Sequence, residues 1–145
     1  MADGVFNIAK GAVAEKFRDG AANGLILLLK VNEAAGTLVD YDTVAAMLAG
    51  SNTEADFTNY ARKTGLTGTI TVDDTNDRVD VDIADQTWAT AGGATNNSLT
   101  KLIVAYEESG ADSGRIPLTH HDFVVTTDTS DITAQVNAAG FFRAS

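Results

Sequence analysis

The sequence contains no cysteine, which excludes disulfide frameworks, thiolate zinc sites, iron–sulfur clusters and cysteine nucleophiles together. Basic residues are scarce: ten Lys and Arg stand against twenty Asp and Glu, giving a net charge of −10 and a pI near 4.3. Such a surface repels DNA, RNA and anionic headgroups, so nucleic acid and membrane surfaces are excluded as expected partners. Long apolar runs are also missing. The longest, Val44 to Ala49, has six residues and the most strongly apolar, Leu25 to Leu29, has five, against the roughly 20 that a membrane helix requires. The segment Met1-Ala2-Asp3-Gly4-Val5 lacks the basic and apolar regions of a secretory signal, so the expectation is a protein made in the cytoplasm. Proline occurs once, at Pro117, which an antiparallel sheet tolerates at an edge or just outside it.

What is present fits one domain over residues 1–145, with 44% hydrophobic residues to build a core without staples. Eighteen Thr favour strands and turns over helices. Val13-Ala14-Glu15-Lys16-Phe17 alternates like a strand, with helix as the alternative, and could form a hairpin with the apolar run that follows the turn Asp19–Gly24. That run, Leu25 to Val31, is apolar except for Lys30, which predicts a strand covered on both faces. One short helix is predicted over Thr43–Ala49, capped by a carboxylate of Asp40-Tyr41-Asp42 and stopped by Gly50. Further strands are predicted at Phe57–Thr64, within Thr69–Trp88, and at Leu99–Tyr106, Phe123–Thr126 and Ile132–Val136. In Val79 to Ala84 the valines and Ile83 point one way, while Asp80 and Asp82 point to a solvated face. The fold expected is mainly β: an antiparallel sandwich or jelly-roll-like barrel with one short helix.

Few residues suggest chemistry. Asp73, Asp74, Asp77, Asp80, Asp82 and Asp85 cluster in sequence, and a calcium site needs converging oxygens. The sixth loop position from Asp73 is Arg78 instead of Gly, however, and no Glu stands at the twelfth, so an acidic turn is the simpler reading. His120 and His121 are adjacent and in a strand face opposite ways, a poor arrangement for chelation. Glu107 and Glu108 read as a solvated turn, and no serine lies in a nucleophile elbow. Neither catalysis nor a cofactor or metal is expected. Trp88 and most of the phenylalanines and tyrosines read as core.

The segments Phe6-Asn7-Ile8-Ala9-Lys10-Gly11, Asn59-Tyr60-Ala61-Arg62-Lys63, Asp73-Asp74-Thr75-Asn76-Asp77, Asp85-Gln86-Thr87-Trp88, Lys101-Leu102-Ile103-Val104, Pro117 to Phe123 and Gly140 to Ser145 together resemble a family of small virion proteins of tailed bacteriophages of actinobacteria. The resemblance implies a decoration or minor capsid protein that cements the outside of the assembled shell. A tail or head fibre component contacting the host surface is the alternative. It further implies the major capsid protein as partner, self-association into a homo-oligomer such as a trimer, and a place on the capsid exterior after synthesis in the host cytoplasm. No catalytic residue carries over. The chain ends supply the candidate interface: Val5, Phe6, Phe141, Phe142 and Arg143 either close the sheet or dock on a neighbour. If they close the sheet, the loop Gly92 to Ser98 is the next surface to consider.

Overall fold

The five side chains from Leu25 to Leu29 are all fully buried in the computed structural model, which describes residues 4–6 and 22–144. Eleven strands are described: β1 (Gly4–Val5), β2 (Gly24–Val31), β3 (Thr53–Glu54), β4 (Lys63–Leu66), β5 (Thr69–Asp73), β6 (Arg78–Asp82), β7 (Gln86–Trp88), β8 (Lys101–Glu107), β9 (Arg115–Asp122), β10 (Ile132–Ala134) and β11 (Phe142–Ala144). Two helices of one to two turns, α1 (Ala35–Leu38) and α2 (Val44–Ala49), and a 3-10 turn at Asp112–Gly114 complete them. The chain is therefore a mainly β protein with several antiparallel sheets and little helix.

The central sheet runs β1-β9-β8-β2-β3, with β4 pairing the other half of the β2 edge. β2 and β8 are its inner strands, in register from Gly24↔Tyr106 to Leu29↔Lys101. Alternation along β2 divides its side chains between two cores. Leu25, Leu27 and Leu29 enter the first, with Phe6, Ile103, Leu118, Val44 and Met47 of α2, and Val81 and Phe142 from the sheet β11-β6-β5. Ile26 and Leu28 enter the second, with Phe57, Leu102, Val104, and Trp88 and Ile132 from the ribbon β10-β7. Each such side chain gains about 1.5–3 kcal/mol by leaving water, which is offset by the entropy of ordering it. The sheets thus stack as layers on both faces of the central one. Among the described residues no sheet closes on itself, so the barrel alternative gives way to the layered one.

Several local expectations are corrected. The helix α2 is capped by Thr43, whose Oγ1 accepts the Ala46 N–H at 3.1 Å, and not by an aspartate. The buried Asn52 then ties its end down, donating to the Met47 carbonyl at 2.9 Å and to Glu33 Oε2 at 2.8 Å. A second helix, α1, precedes it, so the expectation of a single helix is corrected to two. Pro117 lies within β9, where the register with β8 slips between Val104 and Ala105. Among the described residues β1 pairs only with His120 and Thr119, so Pro117 sits on a stretch of β9 whose outer side no described strand pairs, in keeping with the edge expectation. Phe57–Tyr60 turns, because Tyr60 N–H bonds back to the Phe57 carbonyl at 2.9 Å, and the strand begins only at Lys63. Phe123 to Val125 is not assigned to a strand, although Phe123 N–H donates to the Thr100 carbonyl at 3.1 Å and Leu99 N–H to the Val125 carbonyl at 2.7 Å, and Thr126 makes a lone bridge to Ser98. The expected strand Val13–Phe17 lies outside the described residues.

Candidate interaction surface

The terminal candidates sit within the chain's own fold. Val5 pairs with Thr119 through the backbone, and Phe6 is fully buried, edge-on to the His120 ring at 5.7 Å. Phe142 is 9% exposed and lies opposite Val81 in β6, while the half-buried Phe141 packs on both cores. Arg143 Nε donates to Asp80 Oδ1 at 2.6 Å. Phe6 and Phe142 thus take the first of the two roles weighed for the chain ends, packing in the core of this chain.

The loops meet instead at one rigid surface. Phe57–Tyr60, Thr90–Ser98 and Thr127–Asp131 are joined to one another mainly through their backbones. Gly92 N–H donates to the Thr58 carbonyl at 2.9 Å, and Thr58 N–H donates to the Thr95 carbonyl at 3.0 Å. Ala91 and Thr129–Ser130 exchange two bonds of 2.8 and 3.0 Å. Asn59 Nδ2 reaches the Thr90 carbonyl at 2.9 Å, and Thr90 N–H reaches Asp131 Oδ1 at 2.7 Å. Beneath them the buried Asn97 bonds to Thr127 and Asp56, anchoring the loops to the second core side.

This knot holds an unusual concentration of left-handed backbone: Asn59 at φ 71°, Thr90 at 48°, Gly92 at 107°, Gly93 at 136° and Thr129 at 80°. For the two β-branched threonines this conformation costs on the order of 1–3 kcal/mol each, and the surrounding bonds hold it. Gly92 is favoured by its φ, and a Cβ there would lie 2.1 Å from Asn96 Oδ1, so the Asn96 side chain would have to move. Gly93 to Asn96, Ser98 and Asp128 to Asp131 are exposed, although the expected exposure of the whole stretch from Ala91 fails at Ala91, Gly92 and Asn97. The Ser130 amide holds the Asp128 carboxyl below the usual range, so the surface carries fixed negative charge.

The other singled-out residues serve the fold. In the acidic stretch, Asp73 accepts from the Thr75 and Asn76 amides at 3.2 Å and caps the β5–β6 turn. Asp80 is 9% exposed, held between Arg78 and Arg143, so the expected solvated face is in fact buried at this residue, flanked by β5 and β11. Asp85 accepts the Val136 N–H at 2.7 Å. No group of three or more His, Asp or Glu suited to a metal occurs among the described residues. His120 lies in the first core beside Phe6, whereas His121, bonded to Thr119 Oγ1 at 2.9 Å, lines a cleft of about 570 Å³ floored by Ile26, Leu102 and Val104. Glu107 meets Arg115 at 3.2 Å.

Sequence reasoning missed two charged groups. Lys101 is 3% exposed and pairs with Asp122. Arg62 clamps Glu54 at 2.6 Å and Asp112 at 2.5 Å, joining β3 to the 3-10 turn. Only the position of Lys101 at the head of an apolar run could have marked it. No protein-family model matches the chain, and neither a curated protein nor a solved structure matches it.

Proposed function

We propose that this chain is a virion structural protein that binds the outer surface of an assembled phage capsid as a decoration or cement protein. The observation that carries the reading is the three-loop surface, taken together with the family resemblance of the sequence. Its exposed residues are small and polar, and its backbone is held in place before any partner arrives, so little ordering entropy opposes contact. A partner such as the major capsid protein is displayed in many symmetric copies, and modest affinity per site suffices for high occupancy. The net charge of −10 suits an outer face away from packaged DNA.

The test is mass spectrometry of separated heads and tails, together with binding of the purified protein to capsids that lack it. Location on heads in many copies is expected; location on tails overturns the reading in favour of a fibre component. Gly92→Ala should weaken capsid binding by about tenfold through the altered loop, and Ala94→Arg, at an exposed position, should weaken it with the fold intact. Unchanged binding by both variants overturns the assignment of this surface.

A further inference from the structure

We propose that two copies of this chain join edge to edge through β5, extending the sheet β11-β6-β5 across a two-fold axis at Thr71. The inference does not rest on the virion reading.

β5 closes its sheet on one side, and no described strand pairs with its other edge. A strand so placed turns the N–H and C=O groups of alternate residues outward, a template for a further strand. Natural edges are blunted by shortness, bulges, proline or lysine. The other described edges show such devices: β1 and β3 have two residues each, β7, β10 and β11 have three, and β4 carries Gly65 at φ 66° and a shifted register. β5 shows none. Its five residues, Thr69-Ile70-Thr71-Val72-Asp73, pair with β6 in unbroken register.

The apolar face of this sheet also runs past the core that covers it. Ile70, Val81 and Phe142 form one cross-strand row packed in the first core. The next row outward is Val72, Val79 and Ala144, and Val72 is 65% exposed.

The strand's own sequence identifies the occupant as a second copy. A two-fold at Thr71 sets Thr71 opposite its twin, Ile70 opposite Val72 of the second copy, and Thr69 opposite Asp73. Threonine pairs and β-branched apolar pairs are favourable cross-strand neighbours. No like charges meet, and each Asp73 is already held by Asn76 at 2.8 Å and Arg78 at 3.1 Å. This is the one symmetric register that pairs all five residues; a two-fold at Asp73 would set two carboxylates face to face. The contact is smaller than the roughly 1,200 Å² of stable interfaces, so the dimer is weak and depends on concentration. A net charge of −10 on each copy opposes approach, so association tightens as salt screens it.

Sedimentation of the full chain over a concentration series at low and high salt should show a monomer–dimer equilibrium that salt strengthens. Val72→Lys, at an exposed site, should weaken it by about tenfold or more, with circular dichroism confirming the fold. Because the chain has no cysteine, Thr71→Cys introduces a lone thiol. Across the axis two such residues lie about 4.5–5.5 Å apart at Cα, within reach of a disulfide. Thr69→Cys places its thiols about 13 Å apart and serves as the register control. Rapid oxidative crosslinking of Thr71→Cys alone supports the proposal. A monomer under all conditions, an undisturbed Val72→Lys dimer, or equal crosslinking at both positions overturns it. Capture of a foreign strand in place of the second copy would likewise leave the chain monomeric and count against it.

Discussion

Phe142 decides whether the chain end belongs to the core or to an interface. Its ring is 9% exposed, faces Val81 across the ladder and packs with Leu25, Leu27 and their neighbours. Phe142→Ala leaves a cavity that the surrounding sheet fills only in part, and such changes cost about 3–5 kcal/mol. At about 2–4 °C per kcal/mol for a domain of this size, the melting temperature should fall by about 6–20 °C. Deleting residues 142–145 should cost more, because it also removes three ladder pairs and takes Arg143 from the buried Asp80 carboxylate, leaving Arg78 as its ion-pair partner among the described residues. Calorimetry and gel filtration of both variants at one protein concentration provide the measurement. An unchanged melting temperature together with lost self-association would refute the reasoning and return Phe142 to a subunit interface.

Two other outcomes follow from the charged groups. Asp122→Ala should lower the melting temperature more than Lys101→Met, since the first leaves a 3% exposed ammonium without its carboxylate, while the second leaves a carboxylate that can turn to water; the reverse order in a thermal melt would count against a buried Lys101. Hydrogen bonds from Arg62, then Arg115, hold the Asp112 carboxyl below its ordinary range. A depressed folded value gives stability that is present above the unfolded value near about pH 4 and is lost as pH falls through the folded one. The urea midpoint should therefore decline in acid, and less steeply in Arg62→Met; an unchanged acid limb in that variant would show that the clamp contributes nothing.

What could be read from the sequence was whatever depends on neighbours along the chain. Leu25 to Leu29 announced a strand covered on both faces because five consecutive apolar residues leave no side for water, and the two cores bear this out. The stop of α2 at Gly50 and the β character were legible for the same local reason. What was hidden depends on distant partners. Lys101 reads as solvent-facing until Asp122, across the β8–β9 hairpin, comes into view. Asp80 reads as exposed until Arg143 returns from the far end of the chain as the third strand of its sheet. The loop surface was located only roughly, at Gly92 to Ser98, because its other two loops, around Thr58 and Thr129, are joined to it by backbone bonds that leave no mark on residue type.

A sheet with a core on each face acts as a wall common to two rooms. Consecutive residues of β2 face opposite cores, so neither core can lose its order while the backbone between them keeps its shape. The molecule therefore has no half that can melt first. Heating should produce one calorimetric transition for both cores, and the amides of β2 and β8 should exchange with solvent last and together, at the rate of global unfolding. The loop surface, the terminal strand and the β5 edge all hang from that wall, so a change that loosens it reaches all three.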